Sequence, residues 1–141
     1  MVQSWWCAEP HSSGAGQERL RAVALAGIDH VQLAIPPATE EVARAYWLDI
    51  LGLVEVPKPA ALARRGGAHF ETTDGKIRVH VGVEDAFTPA LKAHPAFQVD
   101  ELDDLAAQLS AAGYDVRWSD EIPGTRRFHT DDPFGNRLEF C

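Results

Sequence analysis

The stretch "IDHVQLAI" (28–35) returns further along the chain as "AHPAFQV" (93–99), and each copy is followed by a run with helical periodicity. After "IDHVQLAI", the run "ATEEVARAYWLDILG" (38–52) sets Val42, Tyr46 or Trp47, and Ile50 or Leu51 at helical spacing. Thr39 reads as its N-cap and Gly52 as its stop. After "AHPAFQV", the run "DELDDLAAQLSAAG" (100–113) spaces Leu102, Leu105, Ala106, Leu109 and Ala112 in the same way, with Asp100 as the cap and Gly113 as the end. Short strands follow each helix: "LVEV", "GAHFETT" and "KIRVHVGV" in the first half, "DVRW", "TRRFHTDD" and "NRLEFC" in the second. The chain therefore reads as two tandem βαβββ modules, about 25–84 and 93–141, joined through the Pro-containing "EDAFTPALKA". A fold built this way is α+β, with each helix lying on one face of a mixed sheet.

Alternation along the strands shows which side chains face away from the helices. Val31, Leu33 and Ile35 take one face of the first strand and leave His30 and Gln32 on the other. Pro95, Phe97 and Val99 leave His94 and Gln98 there. In "KIRVHVGV" the apolar set Ile77, Val79, Val81 and Val83 leaves Arg78 and His80. In "NRLEFC" Leu138 and Phe140 leave Arg137 and Glu139. Superposing the halves carries His30 onto His94 (94 − 30 = 64) and His80 onto Glu139 (139 − 80 = 59). Three imidazoles and one carboxylate thus occupy matched places on the polar faces of first and last strands. All four are types that bind divalent metals. A cation also explains a carboxylate between Leu138 and Phe140, because burying an unpaired carboxylate is costly.

Length and composition agree with one globular domain: 141 residues, 45% hydrophobic and 24% charged. The formal charge, 13 − 21 = −8, argues against nucleic acid or anionic membrane as the main partner and leaves cationic or small neutral ligands open, with a small-molecule substrate expected. No stretch approaches a membrane span and the first twenty positions lack a secretory pattern, so a cytoplasmic protein is expected. Cys7 and Cys141 are the only cysteines, which offers neither a disulfide framework nor a CxxC site. Residues 1–24 have no settled period and read as an N-terminal extension, with Trp5 and Trp6 as the residues that would cover the domain if it docks; His11 has no assigned role. Residues 25–141 form the domain.

Paired modules with the opening "IDHVQLAI", the middle "HPAFQVDELDDL" and the close "DPFGNRLEF" resemble the vicinal oxygen chelate superfamily. Glyoxalase I, fosfomycin-resistance transferases, extradiol dioxygenases and bleomycin-binding resistance proteins belong to it. The resemblance implies a metal in a cleft formed where two modules curl their sheets, with His30, His80, His94 and Glu139 in the ligand places. His80 is the position that varies within the family. It also implies a cleft built within one chain or by exchange of modules between two, and a homodimer is the expectation here. His69 and His129, in the third strands of the two halves, would line the same cleft as contacts to substrate, beside Arg78 and Arg137 on the same polar faces. Arg64, Arg65, Arg126 and Arg127 are either holders of a substrate anion or solvated surface.

An ion with open positions binds substrate oxygens side by side. The expected activity is therefore that of a divalent-metal-dependent, glyoxalase-like lyase or isomerase. Its substrate is chelated through two oxygens and passes through an enediolate-like intermediate, with Glu139 or His80 as the base. With iron, two His and one Glu also satisfy the facial triad of an extradiol-type dioxygenase. An antibiotic-binding protein of bleomycin or fosfomycin type is the remaining alternative. Zn, Ni, Mn and Fe all stay open as the ion.

Overall fold

The structure, a computed structural model, describes residues 24–141. The expectations for residues 1–23, including Trp5 and Trp6, lie outside it. The two βαβββ modules are present. Strands β1 (Val31–Ile35), β2 (Val54–Val56), β3 (Ala68–Glu71) and β4 (Arg78–Val83) form one sheet in the order β1-β4-β3-β2. Strands β5 (Ala96–Phe97), β6 (Arg117–Ser119), β7 (Arg127–Asp131) and β8 (Arg137–Phe140) form the second in the matching order β5-β8-β7-β6. In each sheet the first and last strands run parallel and the remaining pairs antiparallel, so His69 stands opposite His80 and His129 opposite Glu139.

The first helix differs from its expected form. Helix α1 (Glu40–Arg44) runs directly into a π-helical segment, Ala45–Ile50. The wider turn lets the adjacent Tyr46 and Trp47 both enter the core, where they are 0% and 2% exposed. It also settles the face, since Ala43 is buried while Val42 is exposed, against the periodicity read from the sequence. Thr39 does occupy the N-cap position, but its hydroxyl donates to the Pro36 carbonyl rather than accepting from the helix. Helix α2 (Leu102–Ala111) starts one residue later than expected, with Glu101 rather than Asp100 at the N-cap, and no side chain caps it. Its end is as read. Gly113 has φ +90°, Gly113 N–H donates to Ser110 and Tyr114 N–H to Leu109, a Schellman stop that leaves Ala112 outside. The loop at 56–67 carries a 3-10 helix, Ala60–Arg65, that the sequence reading did not include.

One core joins the modules. Leu33, Ile35, Phe70, Val79 and Val81 from the first sheet pack in the same apolar cluster as Leu109, Phe128, Leu138 and Phe140 from the second module. The Trp47 ring meets Phe97 edge-on at 6.3 Å, and Tyr46 meets Tyr114 at 5.0 Å, so aromatic contacts cross the seam. The turn of "DPFGN" adds a polar tie: Asn136, 1% exposed, donates to Asp132 and to the Ala34 carbonyl and accepts from Ala90 N–H. With the apolar faces committed to this core, His80 and Glu139 leave the opposite faces of β4 and β8 as read, and His30 and His94, which precede β1 and β5, lie beside them.

Candidate metal centre

The second module assembles a compact donor set. Glu139, in the middle of β8, is 8% exposed, and its Oε2 lies 2.9 Å from His94 Nε2 and 3.1 Å from His129 Nε2. The two rings stand nearly perpendicular, 81° apart. One ligand atom from each of His94, His129 and Glu139 lies within 4.8 Å of the other two. Among the described residues no other group of three metal-binding side chains converges so closely.

The local fold accounts for each orientation. His129 reaches Glu139 because β7 and β8 are paired in register and both side chains leave the same face. His94 precedes the short strand β5, and its Nδ1 donates to the Lys92 carbonyl at 2.8 Å. That bond turns Nε2 toward Glu139 Oε2, the orientation found behind metal-binding imidazoles. On the other side, Arg127 donates from Nη1 to Glu139 Oε1 at 3.2 Å and from Nη2 to Glu121 at 3.2 Å.

Protonation states follow from these contacts. Burial pushes the Glu139 carboxyl up, but hydrogen bonds from His94 and Arg127 outweigh it and hold the group below its ordinary value. Burial lowers His129, the Arg137 charge lowers it further, and the opposing pull of Glu139 does not restore it. A carboxylate beside a neutral imidazole is the state in which such groups bind a cation. Two imidazoles and one carboxylate around one point therefore fit a divalent metal of the Zn, Mn, Ni or Fe class.

The first module holds its matched residues differently. The rings of His69 and His80 stack at 3.6 Å and 6°, and His30 stacks on His80 at 4.1 Å and 20°. Unlike the second-module set, the ligand atoms of this trio do not converge on one point, and it contains no carboxylate. Burial, followed by the charges of His69 and His30, pushes His80 down to about 4. Burial and then Lys58 and His30 lower His69 as well. His30 is the most open of the three, with its side chain 41% exposed and Nδ1 3.4 Å from Asp29. Of the four residues expected to share an ion, the structure thus brings His94 and Glu139 together, and brings His30 and His80 together beside His69.

The arginines separate as sharply. Arg78 lies against Asp29 and Glu71 at 3.3 and 3.6 Å. Arg126 forms a two-pronged pair with Asp103, 2.7 Å at each prong, and lies over the Trp118 ring. Arg64 and Arg65 fall in the 3-10 helix, both exposed. Arg127 alone among the loop arginines touches the donor set. Two features were underrated from sequence: His129 belongs with the donors and Arg127 is the counter-charge of Glu139. The repeat carried the first signal, because His69 and His129 occupy matched places (129 − 69 = 60) opposite His80 and Glu139.

Comparison with known proteins adds three findings. The model of the Glyoxalase/Bleomycin resistance protein/Dioxygenase superfamily matches residues 13–140. Among solved structures, a glyoxalase family protein from Bacillus anthracis is 43% identical, covering 84% of this chain and 96% of that one, with a TM-score of 0.78. Two more distant structures share the fold. A mutant of the fosfomycin resistance protein FosX from Listeria monocytogenes, complexed with Mn(II) and 1S,2S-dihydroxypropylphosphonic acid, is 16% identical (TM-score 0.68, covering 83% and 92%). Lactoylglutathione lyase from Agrobacterium tumefaciens is 18% identical (TM-score 0.62, covering 82% and 92%). No match was found among curated proteins.

Proposed function

The chain belongs to the Glyoxalase/Bleomycin resistance protein/Dioxygenase superfamily, and from that premise we propose that it is a divalent-metal-dependent, glyoxalase-like lyase or isomerase acting on a small substrate through two substrate oxygens. The observation that carries this reading is the buried Glu139 carboxylate flanked by His94 Nε2 and His129 Nε2 on one oxygen. The Mn(II) bound by FosX and the reaction named for the Agrobacterium lyase supply the class of ion and of chemistry.

His94, His129 and Glu139 would hold the ion. When bound, it would act as a Lewis acid on the substrate oxygens and ease loss of a neighbouring carbon-bound proton. The residues themselves do the rest. The Lys92 carbonyl fixes the His94 ring, and β7–β8 pairing fixes His129 against Glu139. Glu139 is the proposed proton acceptor, kept ionised by His94 and Arg127. His80, neutral at physiological pH because burial and its histidine neighbours lower it, is the second proposed base. A homodimer is proposed as the form in which the His30 and His80 face of one copy completes the His94 and Glu139 face of another.

A second reading is favoured by the composition of the donor set itself, since two His and one carboxylate make the facial triad of non-heme iron oxygenases. An extradiol-type dioxygenase is that alternative. An antibiotic-binding protein requires no such donor set.

The deciding experiment is metal analysis of protein purified without chelator, followed by turnover assays. A hemithioacetal consumed without oxygen supports the lyase. Oxygen uptake with iron and a catechol, and no hemithioacetal turnover, replaces it with the dioxygenase. Unchanged metal content in Glu139→Ala removes both.

A further inference from the structure

We infer that the apolar pocket at the seam of the two modules binds a neutral, single-ring aromatic molecule with one uncharged polar group, separately from the metal centre. The pocket, about 200 Å³, is walled by Trp47, Leu53 and Val79 of the first module and by Phe97, Leu105 and Phe140 of the second.

Its place follows from strand alternation. Val79 precedes His80 in β4 and Phe140 follows Glu139 in β8, so both turn to the face opposite the donor residues. Phe97 stands opposite Phe140 in the β5–β8 register, their ring centres 5.7 Å apart. The pocket thus lies behind the two strands whose front carries His80 and Glu139. A molecule held there is not the one that meets the metal, and its binding does not depend on the activity proposed above.

The lining selects the ligand. Protein interiors close down to voids near the size of one water, so a space this large is an exception. An apolar cavity of about 150 Å³ accepts benzene, which gives this pocket room for a ring with one or two further heavy atoms and none for a helix or strand of another protein. None of the lining residues is charged, and a charged group taken in would lose its water without gaining a partner. Trp47, Phe97 and Phe140 offer rings against which an aromatic guest packs edge-on or offset.

Two polar residues complete the lining, Thr72 and Gln98. The Thr72 hydroxyl is already engaged, donating to Asp74 Oδ1 at 2.7 Å and accepting from Ile77 N–H at 3.1 Å. Gln98 is exposed, and its carboxamide makes no hydrogen bond among the described residues. That group both donates and accepts. A hydroxyl or carbonyl oxygen at the outer end of the guest therefore meets Gln98 while the ring sits inside.

The test is methyl NMR of the full chain at pH 7, titrated with p-cresol, toluene and p-toluate. p-Cresol is expected to bind saturably and to move the methyl signals of Leu53, Val79 and Leu105. p-Toluate, the same ring bearing a carboxylate, should bind about tenfold more weakly or worse. Gln98→Ala should bring p-cresol down to the affinity of toluene and leave toluene unchanged. Leu53→Phe, which fills the pocket, should weaken both by about tenfold or more, and Leu105→Phe repeats the test from the second module if the first variant does not fold. No saturable binding of p-cresol, equal affinity for p-toluate, or unchanged affinity in a folded filling variant would overturn the proposal.

Chelator-treated and Mn(II)-loaded protein should bind p-cresol equally, so failure of the metal centre leaves the result standing. Competition between Mn(II) and p-cresol would place the ring in front of the strands and overturn the inference. The same holds if the three methyl signals move on dilution, which gives the pocket to a second copy, or in a Trp5→Ala, Trp6→Ala variant, which gives it to the N-terminal segment of the chain.

Discussion

The side-chain amide of Asn136 donates to the main-chain carbonyl of Ala34 at 2.8 Å, across 102 residues of sequence. One bond thus links the turn before β8 to β1 in the other module. The same amide donates to Asp132 Oδ2, and Asn136 Oδ1 accepts from Ala90 in the segment between modules. Since β8 carries Glu139, the turn sets where that carboxylate stands.

Asn136→Ala should therefore destabilise the fold markedly. It removes one buried and two half-buried hydrogen bonds and orphans the Ala34 carbonyl, the Ala90 N–H and one Asp132 oxygen. The expected loss is about 2–4 kcal/mol, measured by denaturant unfolding. A change within about 0.5 kcal/mol would show that the tie between modules is not structural.

This turn also shows how far the fold was legible in the sequence. "DPFGN" stood out as a motif, and strand alternation placed Glu139 and His94 on the polar face, because period two is a local property of the chain. His129 and Arg127 follow from register, which strand pairing sets and no single segment displays. The π-helical turn that admits both Tyr46 and Trp47 is likewise decided by the core against which it packs. The Asp100 cap failed for a related reason: helix α2 starts where Leu102 and Leu105 reach the core, one residue beyond the cap that local preference favours.

Gly67 should not tolerate a side chain. Its φ is +80°, and an added Cβ would lie 2.1 Å from the Val81 carbonyl oxygen, which is backbone and cannot turn aside. Gly67 N–H also donates to Glu40 Oε1 at 3.0 Å, tying β3 to helix α1. Gly67→Ala should cost about 3 kcal/mol or more. A melting temperature equal to that of the unaltered chain would contradict the close approach of β3 and β4 at this point.

Acid should weaken the metal-free fold in two steps. His80 titrates near 6.5 when unfolded and at about 4 when folded, so the folded state binds fewer protons between those values. Its contribution is present above pH 6.5 and is lost as pH falls toward 4. Glu139, held below its ordinary 4.5, adds stability above that value and loses it at still lower pH. Unfolding of chelator-treated protein should show stability falling from pH 6.5 downward, and His80→Gln should flatten the upper part of that fall. A slope unchanged in His80→Gln would assign the effect to other groups.

Arg126 and Arg127 are adjacent in sequence and should behave in opposite ways. Arg126 pairs with Asp103 on the surface, both side chains mostly exposed, and a solvent-screened pair of this kind contributes little. Arg126→Ala should leave both unfolding and metal affinity nearly unchanged. The Arg127 side chain is 16% exposed and faces the side chain of Glu139, itself 10% exposed. Removing it strands a buried carboxylate beside two imidazoles, so Arg127→Ala should destabilise the metal-free chain by about 2 kcal/mol. A divalent cation supplies the missing charge at the same carboxylate. The variant's stability should therefore recover more on adding Mn(II) than that of the unaltered chain, in which Arg127 competes with the ion for Glu139. Thermal unfolding with and without Mn(II) reads this difference directly, and equal recovery in both proteins would separate Arg127 from the metal centre.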